Sequence, residues 1–319
     1  MKTRSVISYA ASILILINGA FPISAQENKT IKWVDFTVTA EALQDTMQAD
    51  IDTHGESDWI TLLAVLASRS GGDFSNYKKA DLLSLLERHR KGEDFSHMTS
   101  NRKLFDYYKR AYSAILDGML GSYTEISADG TLTEGYGLTA FSPTAQGYYY
   151  SHFNDFGASR SYGYKRKHLG HDLMGSVGTP IIAVEAGYVE ACGWNQYGGW
   201  RIGIRSFDGL RYYYYAHLRK GHPFCDIYEG KIVDAGEVIG YLGMTGYSKK
   251  EDTNNIDTPH LHFGVQLIFD PSQKDGANQI WIDLYELTRF LSANKSSVTR
   301  DANGDYHAIH VRIPKFSHD

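Results

Sequence analysis

The spacing of apolar residues changes near Tyr123, and that change constrains the fold more than any other feature of the chain. Between about Asp35 and Leu120 apolar side chains recur every three or four residues. Trp59, Leu62, Leu63 and Leu66 form one such series and stop at Gly71-Gly72, where glycine can end a helix; Leu82, Leu83, Leu85 and Leu86 occupy one flank of a second; Leu104, Tyr108, Tyr112, Ile115 and Met119 form a third, ending before Gly121. This pattern predicts a bundle of three or four helices. Beyond Tyr123 the runs are short and punctuated by glycine: Thr131 to Leu138, Gly147 to Phe153, Ile181 to Glu190, Trp200 to Ser206, Leu210 to Leu218, Lys231 to Tyr241 and Leu261 to Phe269. They predict an antiparallel β domain. Ile280 to Ala293 reads as a further helix, with Leu284, Leu287, Phe290 and Leu291 on one side, and an Asn303-Gly304 turn predicts a hairpin between Val298 and Tyr306 rather than a calcium loop, which would need a closing Glu. The expected class is α+β, divided as residues 1–25, 26–122 (helical), 123–295 (β-rich with a late helix) and 296–319 (tail).

The first segment has Lys2 and Arg4, an apolar run from Val6 to Phe21, and Ile23-Ser24-Ala25 before polar Gln26-Glu27. It predicts a secretory signal peptide, or a marginal membrane anchor if it is not removed. With a net charge of -5 the 319-residue chain lacks the basic excess of a nucleic-acid binder. Cys192 and Cys225 are the two cysteines, and in an exported chain either a disulfide or two free thiols satisfies the sequence.

Three stretches of the β region carry chemistry. In Pro259-His260-Leu261-His262-Phe263-Gly264-Val265 strand alternation puts both imidazoles on one face, so that one can bind a metal while the other reaches what the metal binds. In His168-Leu169-Gly170-His171-Asp172-Leu173 a bend at Gly170 can bring His168 and Asp172 to one point, and His, Asp and a second His suit Zn²⁺. In Arg211-Tyr212-Tyr213-Tyr214-Tyr215-Ala216-His217 the same alternation groups His217 with Tyr213 and Tyr215. The helical segment offers no comparable set. His54, His89 and His97 read as surface residues, and the segment as a scaffold or as a module that binds the wall or an envelope protein.

Taken in order, His-x-Gly-x-Asp, Tyr-Ala-His-Leu and Pro-His-Leu-His-Phe resemble the lysostaphin-type or LytM-type zinc metallopeptidases. The resemblance runs from about Phe153 to Phe269. It takes in Gly178-Thr179-Pro180-Ile181-Ile182-Ala183, Val233-Asp234-Ala235-Gly236-Glu237-Val238-Ile239-Gly240 and Gly243-Met244-Thr245-Gly246. It implies a LytM-type antiparallel peptidase domain in which His168, Asp172 and His262 hold one Zn²⁺, while His217 and His260 face the water and the scissile carbonyl. Which of those two histidines is the general base stays open. His171 occupies a variable position of the motif and is expected to be a bystander; His222 reads as exposed; His152 and Tyr150 read as packing residues. Arg160, Tyr213 and Tyr215 are candidates for substrate binding, Arg160 equally for a structural ion pair.

The function implied is an exported zinc endopeptidase cutting cross-links or stem peptides of bacterial peptidoglycan, in the periplasm, in the wall or outside the cell. The alternative is a non-catalytic wall-binding or envelope-assembly protein on the same fold. Two insertions depart from the family's plainer members. Residues Tyr247 to Thr258 precede the His-x-His motif and are expected to shape a wall of the cleft, and Lys220 to Glu229 contains Cys225.

Overall fold

The computed structural model describes residues 34, 36–161, 165–274 and 278–315. The segment expected to be a signal peptide lies outside these residues; among the described residues no helix is long and apolar enough to cross a membrane.

Four helices come first: α1 (Ala40–Asp52), α2 (Trp59–Ser70), α3 (Lys79–Arg90) and α4 (Arg102–Leu116). Their ends follow local chemistry. Thr39, Asp58 and Asn101 accept hydrogen bonds from the first-turn amides of α1, α2 and α4, and α2 stops where Gly71 adopts a left-handed conformation (φ 67°). The apolar stripes face inward as their spacing predicts, with one exception: Leu83 is exposed while Leu82 and Leu85 are buried.

The β region consists of β1 (Leu120–Ser127), β2 (Leu132–Leu138), β3 (Ser159–Ser161), β4 (Lys165–Lys167), β5 (His171–Met174), β6 (Pro180–Ile182), β7 (Gly187–Asn195), β8 (Gly199–Ser206), β9 (Arg211–Ala216), β10 (Ile232–Val233), β11 (Val238–Tyr241), β12 (His260–Leu267), β13 (Ile280–Trp281), β14 (Val298–Arg300), β15 (Tyr306–Ala308) and β16 (His310–Pro314). The described pairings are antiparallel, and the main sheet runs β10-β7-β8-β9-β12-β13, with β5 also paired to β12. One helix, α5 (Tyr285–Leu291), follows β13.

Several sequence expectations are corrected. The helix expected over 280–293 is shorter, because Ile280 and Trp281 complete the sheet beside β12 and only Tyr285–Leu291 is helical. Gly147 to Phe153 is not a strand: it makes a single bridge, Ser151 to Met174. The tail contains the expected β14–β15 hairpin, whose turn is held by the Asp301 carboxylate accepting from the Asn303 and Asp305 amides. The tail also returns as β16 to pair with β1, a long-range contact that no local signal announces.

Helices and sheet share one hydrophobic core, running from Leu62, Leu63 and Tyr112 through Ile204 and Tyr213 to Phe263 and Leu287. The described residues fall in one compact unit. A buried polar group joins the two parts. Arg211, 1% exposed, donates to both oxygens of Glu185 (2.8 and 2.9 Å), to Asp208 (2.8 Å) and to the Ala114 carbonyl of α4 (3.1 Å), while Tyr213 donates to Glu185. A buried charge is tolerated here because each of these polar atoms has a partner.

Candidate active site

The register of the main sheet assembles the site. His262 of β12 lies opposite Asp172 of β5 on one side and Ala216 of β9 on the other, so a single row across three strands carries a carboxylate, an imidazole and the residue preceding His217. His168 enters from the segment between β4 and β5. Its Nε2 lies 3.1 Å from Asp172 Oδ1 and 3.2 Å from His262 Nδ1, and His262 Nδ1 lies 2.9 Å from the same Oδ1. Gly170 makes this convergence possible: a Cβ there would stand 2.5 Å from His262 Cε1 and Nε2. Glycine at the centre of the motif is therefore a requirement of the His262 ring, as well as of the bend.

The three donor atoms lie within 4.8 Å of one another. Two imidazoles and a carboxylate fit a catalytic zinc site, which takes three protein ligands and leaves a position open. His168 Nδ1 lies 3.2 Å from Asp155 Oδ1, a charged neighbour on the side of the ring away from the Nε2 that faces the centre. Asp172 turns its other oxygen to Arg160 (3.2 Å), which also pairs with Asp155. Burial raises the Asp172 pKa, but the hydrogen bonds with His168 and His262 and the charges around it outweigh that, so the carboxylate stays ionised well below its usual range.

His217 and His260 flank this trio, with rings 4.8 Å apart. His217 Nδ1 lies 2.9 Å from the Thr245 carbonyl and His260 Nδ1 lies 2.8 Å from the Thr258 carbonyl. Carbonyls accept only, so in its neutral form each ring carries its proton on Nδ1 and its lone pair on Nε2. Burial, with the neighbouring His260 and His262 adding to it, pulls the His217 pKa to about 3, so the ring is neutral at pH 7. Gly246 belongs to the same arrangement: at φ 129° it packs within 3.0 Å of His217 Nδ1, measured from where a Cβ would stand.

These groups line a cleft of about 900 Å³ whose walls include Phe153, Tyr197, Tyr247 and Trp281. The Tyr247–Thr258 insertion forms one wall, through Tyr247, Ile256, Asp257 and Thr258, and is fastened by Asp252 accepting from Trp200 Nε1 and the Gly221 amide.

Two of the residues expected to bind substrate do not reach the cleft. Tyr213 and Tyr215 are buried on the opposite face, where their hydroxyls meet Glu185 and the Val184 amide; Tyr212 and Tyr214 line the cleft instead. The reason is local. His217 has a left-handed backbone (φ 63°), which breaks the strand alternation that otherwise links it to Tyr213 and Tyr215. Arg160 lines the cleft but is engaged by Asp155 and Asp172. His171 is buried on the back of β5, 2.6 Å from His152 Nδ1, and burial lowers its pKa to about 4. His222 is half exposed and bonded to Asp305, and both cysteines are free thiols.

Residues 166–275 match peptidase family M23. That segment is an M23 peptidase domain. An L-Ala–D-Glu endopeptidase of Bacillus subtilis is 40% identical over 119 residues, covering 36% of this chain and 34% of the relative. Lysostaphin of Staphylococcus simulans is 38% identical over 97 residues, 30% of this chain and 17% of that one. The chain thus spans about a third of the first relative's length and under a fifth of the second's. A crystal structure from Ruminococcus gnavus, provisionally assigned as a glycyl-glycine endopeptidase lytM, aligns with a TM-score of 0.55 at 24% identity, covering 84% of this chain and 92% of that one. The shared fold therefore extends well beyond the M23 domain itself.

The sequence reading missed Asp155, which no motif spacing marks, and the carbonyls of Thr245 and Thr258, which no side-chain pattern can reveal. The glycines at 170 and 246 were the available signal for the close packing around His262 and His217.

Proposed function

We propose that the chain is a zinc-dependent endopeptidase that hydrolyses peptide bonds of bacterial peptidoglycan outside the cytoplasm. The observation that carries this reading is the pairing of a convergent His168, Asp172 and His262 trio with two imidazoles, His217 and His260, whose Nε2 atoms are left basic by carbonyls at Nδ1. The His-x-Gly-x-Asp to His-x-His resemblance and the named M23 relatives supply the substrate class.

His168, Asp172 and His262 would hold the zinc, which supplies Lewis-acid polarisation of a peptide carbonyl and a lowered pKa for water. Arg160 and Asp155 fix the orientations of Asp172 and His168. One of His217 and His260 takes a proton at Nε2 as water adds to the carbonyl carbon and returns it to the leaving amine; the other, with Nε2 turned to the same point, holds the water by accepting a hydrogen bond from it. Neutral His217 suits the accepting role, since a buried ring that resists protonation in the resting state is free to take a proton when negative charge develops beside it. The aromatic walls suit a flexible peptide, whose chain they cover and shield from water.

Incubation of purified cell wall with the zinc-supplied protein, followed by mass spectrometry of the soluble products, tests the proposal. New amino and carboxyl termini at one type of peptide bond are expected. An undigested wall in the presence of bound zinc contradicts the reading.

A further inference from the structure

The cleft contains a cation that the zinc chemistry does not use. Arg201 of β8 lines it, half-buried, and its Nε is buried with no hydrogen-bond partner among the described residues. No carboxylate lies within ion-pair distance of Arg201 among the described residues. The other basic residues of the cleft differ: Arg160 is held by Asp155 and Asp172, Lys274 pairs with Glu190, and Lys167 is exposed. A partly desolvated guanidinium with an unmatched donor costs free energy unless a ligand supplies the acceptor.

Its position follows from the register. Ile202 pairs with Tyr215, so Arg201 stands one step further along, beside Ala216, and Ala216 lies opposite His262. Arg201, Ala216, His262 and Asp172 therefore form one row on the cleft face. Arg201 begins two strand spacings, about 10 Å, from His262. An extended peptide rises about 3.3 Å per residue, so a substrate lying along this row with its reacting bond at His262 brings a group one to three residues away beside the guanidinium.

We propose that Arg201 is a specificity residue that binds a carboxylate of the substrate, so that the cleft selects peptides with a free acidic group close to the scissile bond over the same peptides with that group amidated. This rests on the peptidase reading for the position of the bond. Binding and cleavage test the two separately.

The test uses the zinc-loaded full chain and two probes, the γ-methylamide of N-acetyl-L-Ala-D-Glu and the same compound with its α-carboxyl as the carboxamide, in equilibrium binding, with wild type, R201Q and R201K compared after thermal melts establish that each is folded. Wild type is expected to bind the acid about tenfold or more tighter than the amide, as a charge-assisted hydrogen bond provides. R201Q is expected to bring that ratio close to one, and R201K to keep part of it. Equal binding of acid and amide by wild type, or a preference that survives in R201Q because the metal alone supplies it, overturns the inference. Hydrolysis of wall peptides is scored in parallel. A preference lost in R201Q without hydrolysis by wild type keeps Arg201 as a carboxylate site and removes the peptidase reading, whereas hydrolysis without a preference does the reverse.

Discussion

Two buried polar clusters lie on opposite faces of the same strand, and their difference separates scaffold from chemistry. Behind β9, Arg211, Glu185, Asp208 and Tyr213 form a closed group in which the guanidinium reaches two carboxylates and a helix carbonyl. In front of it, His168, Asp172, His262, His217 and His260 form an open group. Three donor atoms aim at one point and two imidazoles keep unused lone pairs. A closed cluster can only be disrupted, whereas an open one can take a ligand and exchange protons.

The largest effect that sharpens this contrast belongs to the open cluster. Asp172→Ala removes the anionic ligand, and hydrolysis is expected to fall by at least about 10³-fold together with zinc retention, measured by turnover and metal analysis on the same samples. The contrast breaks if D172A keeps its zinc and its rate. Next is the closed cluster. Glu185→Gln leaves Arg211 charged and poorly matched in the core, and urea unfolding is expected to show a loss of about 3–5 kcal/mol. Zinc affinity of the folded fraction should be unchanged, and a selective loss of zinc at unaltered stability would show that the two clusters are not independent.

A smaller effect concerns His171, which is buried on the back of β5. Burial holds its folded pKa near 4 against an ordinary 6.5, so the unfolded chain takes up this proton first as the pH falls. The stability is fully present above pH 6.5 and is lost on going down towards pH 4, by about 3 kcal/mol at most. His171→Gln should flatten the stability profile in that window, which denaturant titrations at several pH values would reveal. An unchanged slope would mean that His171 is not protected as its burial indicates. Smallest is Asp155→Ala, expected to weaken zinc binding about 10- to 100-fold by releasing His168, with the fold retained; competition against a chelator measures it. Wild-type affinity in D155A would remove Asp155 from the account.

The closed and open clusters were unequally legible in the sequence. That His168, Asp172 and His262 would converge, with His217 and His260 beside them, could be read because side chains fixed by short motifs keep their identity whatever the surrounding fold. The helices and most strands followed from periodicity, and α2 ended at the Gly71 that the sequence marked as its stop. What failed depended on backbone geometry or long-range pairing. A left-handed residue at His217 exchanged Tyr213 and Tyr215 for Tyr212 and Tyr214 in the cleft, and strand alternation offers no warning of that. Pairing of β13 with β12 shortened a helix that looked longer by its spacing, and β16 reaches β1 from 183 residues or more along the chain. Arg211 and Glu185, 26 residues apart, carried no motif at all.

The central claim is a division of labour within five neighbouring side chains: His168, Asp172 and His262 hold the metal, and His217 and His260 move protons. Zinc content and peptidoglycan hydrolysis measured side by side in His260→Gln and His262→Gln test it most directly. The account predicts that H260Q retains one zinc per chain and loses hydrolysis, while H262Q loses both. Wild-type hydrolysis by H260Q, or full zinc retention by H262Q, would contradict it.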